Sequence, residues 1–282
     1  MKNIALLSLL FILITSLSGF AQHNEVQYTV NEGGIYGEKF DSTDNDENKY
    51  NIDNKIYLAG KKFMYSYFHM DTTGKKYLVA KGQQIQSDHT TSFDWDFIEY
   101  DNQHKETIKY IILKPKNGNP FKDFVPDYYQ TVIEYEYVMA NDKAFTMEMT
   151  GVIENEMNIW IHPPRSSYFQ ILEINPFPYI RFPYTKGKQW NWNLEIGDRW
   201  SDKRWLEWKG QIENLYQYEF IGIQEIETKL GPMNCYIVKG TASSRIGETG
   251  LISYFNVDYG FVKLDYTNID GSKTILELEK IE

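Results

Sequence analysis

The stretch KQWNWNLEIGDRW, residues 188–200, places large apolar side chains at alternate positions. Two tryptophans, a leucine and an isoleucine fall on one side of an extended chain, and two asparagines and a glutamate fall on the other. Strict alternation with a period of two residues is typical of an antiparallel strand that is buried on one face. The stretch therefore predicts such a strand, with Trp190 and Trp192 on a buried or concave face.

The same alternation recurs in IEYEYVM, residues 133–139, and aromatic residues make up 16% of the chain, a composition that favours strands. Turn sequences separate the alternating runs. They lie at residues 71–74, 101–104, 140–142, 230–232, 257–260 and 268–271. No run of a dozen residues keeps a helical apolar period with capping residues, and we expect at most one short helix, within residues 123–131. The sequence therefore predicts an all-β fold built as a long antiparallel meander.

Three prolines in INPFPYIRFP, residues 174–183, mark a segment of another kind. Proline cannot donate a hydrogen bond to a sheet, so we expect an edge segment or an extended crossover here. The segment separates the first part of the chain from a meander of about five strands over residues 187–282. We predict that both parts belong to a single β-rich domain, residues 22–282.

Motifs of the C-terminal part carry a family resemblance. A glycine and an aromatic residue open the region at Gly197 and Trp200, a T-x-x-G-x-hydrophobe-x-C-aromatic hairpin follows, and an aromatic pair then leads to a Y-G-hydrophobe-V-K turn. The hairpin positions are Thr228, Gly231, Met233, Cys235 and Tyr236, and those of the last motif are Tyr254, Phe255, Gly260, Phe261, Val262 and Lys263. In these motifs the chain resembles the uncharacterised secreted β-proteins of the TapB-like type, which are related in shape to the lipoprotein-carrier half-barrels.

This resemblance covers about a third of the chain and rests on turn and core positions. It implies an antiparallel sheet curled into a half-barrel or open barrel, whose concave face could hold an apolar ligand. It brings no catalytic residues with it, because the family has no established catalytic set.

The first 21 residues combine Lys2, an apolar run and small residues before a cleavage point between Ala21 and Gln22. This pattern predicts a signal peptide, residues 1–21, and hence a protein exported to the periplasm or out of the cell. The apolar run is too short for a transmembrane segment, and none is expected later in the chain. No cysteine follows the cleavage point to carry a lipid anchor, so we expect a free exported chain.

The net charge of -10 argues against a nucleic-acid partner, because such a partner needs a basic face. Cys235 is the one cysteine of the sequence, so the chain cannot form an internal disulfide. Cys235 alternates with Met233 and Ile237, which predicts a small buried side chain and not a nucleophile.

The stretch NIWIHPPRSSYF, residues 158–169, contains the strongest candidate binding residues, Trp160, His162 and Arg165. Alternation places Trp160 and His162 on one face at the end of a strand, and the two prolines end the ladder and fix where Arg165 projects. One interpretation is a ligand site in which His162 and Arg165 meet an anionic or carbonyl group beside the Trp160 wall. The other is architectural, with Arg165 stacked on an aromatic ring or paired with a carboxylate.

Two further tryptophans, Trp205 and Trp208, stand among charged residues, and we expect them to be partly exposed at a ligand rim. No catalytic, cofactor or metal site is predicted. Histidines are scattered at His23, His69, His89 and His104, and Asp44, Asp46 and Asn48 have the spacing of a calcium loop that Lys49 and Lys55 then break. Ser166 and Ser167 lack a nucleophile elbow.

These features predict a non-enzymatic protein that binds a lipid-like or other apolar or amphipathic ligand, or an envelope protein partner. Two alternatives stay open. One is a secreted hydrolase that acts on glycan or ester substrates through carboxylates the sequence does not single out. The other is a structural component of an envelope assembly.

Overall fold

The computed structural model describes residues 28–30, 32–39, 51, 53–87, 90–126 and 128–282. The predicted signal peptide lies outside these residues, as do His23, His89 and the calcium-like positions Asp44, Asp46 and Asn48.

Sixteen strands make up most of the described chain. In chain order they are β1 (Tyr28–Val30), β2 (Tyr36–Glu38), β3 (Phe63–Met70), β4 (Lys76–Ser87), β5 (Thr90–Glu99), β6 (Ile108–Pro115), β7 (Thr131–Met139), β8 (Ala144–Glu154), β9 (Asn158–Ile161), β10 (Tyr179–Arg181), β11 (Gln189–Ile196), β12 (Ile212–Thr228), β13 (Gly231–Ser244), β14 (Gly247–Asn256), β15 (Gly260–Thr267) and β16 (Lys273–Ile281). Short 3-10 helices lie at Glu32–Gly34, Tyr100–Asn102, Ser167–Ile174 and Asp198–Trp200.

Fourteen of these strands form one antiparallel sheet in the order β10-β9-β8-β7-β6-β3-β16-β15-β14-β13-β12-β11, with β4 and β5 attached as a hairpin at β3. β11 to β16 pair consecutively, as the meander prediction requires. β16 then pairs with β3 over eight positions, so the sheet continues into the first part of the chain. The all-β prediction of a long open meander is confirmed.

Alternation in residues 188–200, which include β11, places Trp190 and Trp192 on the inner face of this sheet. Trp190 and Trp192 are buried and stand opposite Tyr218 and Tyr216 of β12, with ring centroids 5.6 and 4.6 Å apart and nearly parallel planes. The polar partners of the stretch, such as Asn191, are exposed on the other face. The predicted burial of both tryptophans is therefore confirmed.

The segment between β9 and β10 crosses the inner face of the sheet and fills it. Its 3-10 helix, Ser167–Ile174, carries Phe169, which is fully buried with its ring centroid 4.9 Å from that of Tyr67 and 5.4 Å from that of Tyr137. Phe177 follows and is also fully buried. The rings around Phe177 come from three strands and are those of Trp160, Trp192 and Tyr216.

Side chains of the sheet satisfy the backbone of this buried segment. Asn214 and Thr249 each donate a hydrogen bond to the carbonyl oxygen of Ile174, both at 2.9 Å. The Tyr218 hydroxyl donates to the carbonyl oxygen of Phe177 at 3.0 Å. Because a buried carbonyl without a partner is costly, these bonds make the crossing possible and fix its path.

The proline-rich segment behaves as the sequence predicts, since it crosses the sheet and then forms the edge strand β10. The prediction of a short helix within residues 123–131 is wrong, because the described residues there form turns and Thr131 already begins β7. Helical structure occurs instead at Ser167–Ile174, where six of the eight residues are buried and no polar face is needed because the segment is enclosed.

The N-terminal hairpin of β1 and β2 covers the seam between the two edges of the sheet. Asn158 accepts a hydrogen bond from the backbone N–H of Tyr36 and donates one to its carbonyl oxygen, both at 2.9 Å. Gly33 has φ +77° and lies against Trp192 of β11 so closely that a Cβ atom would come within 2.0 Å of the indole ring. Among the described strands no ladder joins β10 to β11, and this hairpin bridges the two edges instead.

Removal of the Phe177 ring should destabilise the protein strongly. Phe177→Ala should lower the free energy of unfolding by about 3–5 kcal/mol, because it leaves a cavity among rings from both edges of the sheet. Phe124→Ala is the matched control, since Phe124 is 87% exposed and its loss should change stability by less than about 0.5 kcal/mol. Urea denaturation followed by tryptophan fluorescence measures both, and equal stability losses would contradict the assigned role of the crossing segment.

That residues 22–282 form a single folding unit stays a prediction, and a fragment tests it. Residues 187–282 alone lose the β3 partner of β16 and the Phe177 cover of the inner face, so we expect no cooperative unfolding transition. Circular dichroism during thermal denaturation is the measurement. A sharp sigmoidal transition of the fragment would show that the C-terminal meander folds independently.

Candidate functional site

A cavity of about 1030 Å³ lies at the seam, between the β8–β9 end of the sheet and β11. Its apolar lining includes the rings of Trp160, Phe177 and Trp192. The loop before β7 and the turn at Gly33 contribute further parts of its lining, and His162 and Arg165 add polar groups. The structure thus brings three of the five predicted binding residues to one cavity.

Trp160 and His162 share a face, as the alternation predicts. Their ring centroids are 5.7 Å apart, and the His162 ring lies 4.6 Å from that of Phe177. β9 ends at Ile161, directly before the histidine and the two prolines, so the predicted end of the ladder is also confirmed. Among the described residues, the buried Nε1 of Trp160 and Nδ1 of His162 have no hydrogen-bond partner. Both atoms belong to residues that line the cavity.

Arg165 fits both interpretations that the sequence left open, the ligand site and the architectural role. Its side chain is 27% exposed and lines the cavity, and its Nη2 donates to the carbonyl oxygen of Met149 at 3.4 Å. It also has a carboxylate partner, because its Nη1 lies 3.6 Å from Oε1 of Glu173, and its guanidinium carbon lies 5.8 Å from the centre of the Trp200 ring. At 3.6 Å the ion pair is longer than a hydrogen bond, so the guanidinium keeps donors for another group.

Glu173 lies beneath His162 and Arg165 and is only 3% exposed. Burial raises the pKa of its carboxyl group to about 7, against the opposing effect of the nearby Arg165 charge, and the charge of Glu148 adds to the rise. Burial and the Arg165 charge lower the pKa of His162 to about 3, so His162 is neutral near pH 7. Because a guanidinium only donates, Nε2 of His162, 3.4 Å from Arg165 Nη1, acts as acceptor, and the ring proton is on Nδ1 facing Glu173.

Glu148 holds the turn that positions Arg165. Its carboxylate accepts hydrogen bonds from the Tyr137 hydroxyl at 2.7 Å, the Arg165 backbone N–H at 2.7 Å and the Ser166 hydroxyl at 2.5 Å. Burial raises the pKa of Glu148, and these three donors oppose the rise. Arg165, Ser166 and Glu148 also line a smaller polar cavity of about 480 Å³, together with Thr146, Ser167, Gln170, Arg199 and Trp200.

The expected exposure of Trp205 and Trp208 was wrong. Trp205 is 9% exposed and stacks on Trp95, and Trp208 is 5% exposed in a small apolar cluster with Ile174. Lysine and glutamate neighbours made these rings look exposed, but the chain turns so that the rings point inward while the charges face water. Among the described residues neither tryptophan lines the seam cavity. A ligand rim at these two positions stays a prediction without a supporting contact.

Other reactive side chains occupy structural positions. Cys235 is fully buried, as predicted, and burial raises the pKa of its thiol to about 11. His69 forms a 2.7 Å hydrogen bond between its Nδ1 and the Tyr168 hydroxyl. In the described parts of the chain, no three histidine, cysteine or acidic residues come together in a group suited to a metal ion. No helix among the described residues is long and apolar enough to cross a membrane.

Sequence reasoning missed Glu148 and Glu173. The sequence contains 39 acidic residues, and neither of these two belongs to a recognisable motif. A signal exists in hindsight only for Glu173, whose neighbours in YFQILEI, residues 168–174, are mostly apolar. A carboxyl group in such surroundings is rarely buried without a partner.

Comparisons with known proteins find similar solved structures at low identity. A candidate exported protein with a YmcC-like fold from Bacteroides fragilis is 10% identical, over 80% of this chain and 97% of that chain, with a TM-score of 0.45. A candidate lipoprotein from Parabacteroides distasonis is 11% identical over the same shares, with a TM-score of 0.46. The hypothetical lipoprotein YmcC from Escherichia coli is 6% identical, over 79% of this chain and 85% of that chain, with a TM-score of 0.34.

No protein-family model matches the chain, and no curated protein matches it in sequence. Similarities of the size just given carry no argument about function. The TapB-like resemblance of the C-terminal motifs therefore stays a prediction.

The raised pKa of Glu173 should make stability depend on pH. The folded-state pKa of Glu173, about 7, exceeds the ordinary value of 4.5, so the folded state binds the proton more tightly than the unfolded state. The stability that this proton contributes is lost as pH rises between these two values. Over that interval wild type should lose about 3 kcal/mol of stability relative to Glu173→Gln, which does not titrate. Urea denaturation at several pH values measures this difference.

The control is Glu227→Gln, which removes an exposed carboxylate of β12 and should keep the wild-type pH profile. Parallel profiles of wild type and Glu173→Gln would mean that the Glu173 carboxyl group does not titrate as its burial requires.

Proposed function

We propose that this chain is an exported, non-enzymatic protein that binds an amphipathic ligand in the seam cavity. The observation that carries the proposal is the composition of the cavity wall, where three large aromatic rings adjoin the His162 ring and the Arg165 guanidinium. Binding sites for small molecules are commonly apolar pockets with a few polar groups that orient the ligand.

The two kinds of wall suit the two parts of an amphipathic molecule. The buried rings of Trp160, Phe177 and Trp192 line the apolar side of the cavity. Met149 and Leu194 line it too and are half-buried, so they offer surface to an apolar part. Arg165 can donate two parallel hydrogen bonds to a carboxylate, phosphate or sulfate group, or single bonds to a carbonyl oxygen.

Filling of the inner face by the crossing segment favours the seam over the rest of that face as the ligand site. The crossing segment already fills the middle of the inner face with Phe169 and its neighbours. A ligand there would have to displace fully buried rings. At the seam a cavity is already present, and the N-terminal hairpin covers it through Gly33 and Tyr36.

A hydrolase is the weaker proposal, although the structure holds a pair of acids close to Arg165. Glu148 and Glu173 both have raised pKa values, as a general acid would require. Glu148 is engaged by three hydrogen-bond donors, and Glu173 is 3% exposed, so neither carboxyl group is free to activate a water molecule on a substrate. These contacts favour a binding protein.

Export is proposed on the strength of the N-terminal sequence, whose Lys2, apolar run and small residues match a signal peptide. The ligand would then be encountered in the periplasm or outside the cell. An envelope protein partner is not favoured by any contact described above.

Fluorescence titration with 11-(dansylamino)undecanoate, a fatty-acid probe, tests the proposed function. Wild type should bind the probe saturably, and Arg165→Met should weaken binding by about tenfold or more, because a charge-assisted hydrogen bond is lost. Arg245→Met is the control, since this arginine lies on the β13–β14 turn and bonds the Lys209 carbonyl oxygen, away from the cavity. Absence of saturable binding to wild type would contradict the proposal, as would equal affinities of wild type and Arg165→Met.

A further inference from the structure

Two polar side chains that line the seam cavity, His162 and Arg165, contact the buried carboxyl group of Glu173 loosely. Arg165 Nη1 lies 3.6 Å from Glu173 Oε1 and 3.4 Å from His162 Nε2, and His162 Nδ1 lies 3.6 Å from the same Glu173 oxygen. His162 and Arg165 line the cavity, while Glu173 is buried behind them. Among the described residues, Glu173 Oε1 has no hydrogen-bond partner within normal reach.

The charges around Glu173 come from several elements. Arg165 follows β9 and Arg199 lies in the 3-10 helix Asp198–Trp200, and both carry positive charge toward the carboxyl group. Glu148 of β8 is the negative neighbour. His162 is neutral, and the Tyr216 hydroxyl of β12 points at the backbone carbonyl oxygen of Glu173, not at its carboxyl group.

We propose that the seam cavity selects ligands with an anionic head group, which takes the place of the Glu173 carboxylate as the partner of Arg165 while Glu173 takes up a proton. This inference rests on the proposed function and deepens it. The bond that changes is an ion pair: the guanidinium exchanges one carboxylate for the ligand's anion, and the displaced charge is neutralised by a proton from solvent.

Glu173 is the one of the two neighbouring acids that can make this exchange. The Glu148 carboxylate is fixed by three donors, which favour its charged form. The Glu173 carboxyl group has only loose partners, and its pKa of about 7 means that protonation near neutral pH costs little. An anion beside Arg165 adds a second negative charge in a buried place, which raises the pKa of Glu173 further.

Thermodynamic linkage predicts how the affinity for each type of head group should depend on pH. An anionic ligand binds with uptake of a proton, so its affinity should fall by about tenfold between pH 6 and pH 8, across the pKa of free Glu173. A neutral head group makes no such exchange and should bind independently of pH. A cationic head group would favour the ionised Glu173 and should bind more tightly as pH rises.

Isothermal titration calorimetry with three ligands of one chain length tests the rule. Decanesulfonate, decyl maltoside and decyltrimethylammonium carry anionic, neutral and cationic heads, and the sulfonate itself does not titrate between pH 6 and pH 8. We expect decanesulfonate to bind most tightly at pH 6 and to weaken by about tenfold at pH 8. Repeating the pH 8 titration in phosphate and Tris buffers, which differ in ionisation enthalpy, should reveal uptake of roughly one proton per ligand.

Glu173→Gln identifies the group that takes the proton. In this variant decanesulfonate should bind equally well at pH 6 and pH 8 and without proton uptake, whereas the control Glu227→Gln should keep the wild-type behaviour. Proton uptake that persists in Glu173→Gln would place the proton elsewhere and overturn the inference. If that variant does not fold, binding of decanesulfonate to wild type without proton uptake in the two buffers still overturns the inference.

The outcomes separate this inference from the proposed function. No binding of any of the three ligands at any pH would contradict the proposed function itself. Binding of decanesulfonate without dependence on pH, or tighter binding of decyl maltoside at pH 6, would leave an amphipathic ligand site in place and overturn only the anion exchange.

Discussion

A buried stretch of backbone needs hydrogen-bond partners, and this requirement shapes the protein more than any other. The segment between β9 and β10 leaves the sheet and runs across its inner face, where no water is available to its carbonyl groups. Asn214 and Thr249 supply donors to Ile174, and Tyr218 supplies one to Phe177. These side chains lie on the inner face of the sheet, so their positions match the path of the segment.

That path also creates the candidate site. Because the segment begins directly after β9 at the edge of the sheet, its first residues, His162 to Arg165, lie at the seam, and its 3-10 helix returns Glu173 beneath them. Residues eight to eleven positions apart in sequence thus form one cluster. The aromatic wall comes from β9, from β11 at the opposite edge of the sheet, and from Phe177 of the crossing segment itself. The cavity exists only because the two edges approach each other without pairing.

The alternation of apolar residues predicted the features that depend on neighbours in sequence, namely strands and the faces that they bury. Alternation in residues 188–200 and 133–139 was enough for strands and for the burial of Trp190, and alternation in residues 158–162 was enough for the shared face of Trp160 and His162. It failed where long-range packing decides: Trp205 and Trp208 have charged neighbours yet point inward, and the one extended helical segment is enclosed and therefore lacks an amphipathic period. Glu173 was beyond reach, since its importance comes from Arg165 and His162 facing it and not from its own sequence neighbours.

The N-terminal hairpin that covers the seam contacts residues far from it in sequence. Tyr36 is bound by Asn158, 122 residues further on, and Gly33 lies on Trp192, which is more distant still. Such long-range contacts close large loops and form slowly, after the strands that they join. The cavity and its cover both need β11, so both are completed only after that strand has joined the sheet.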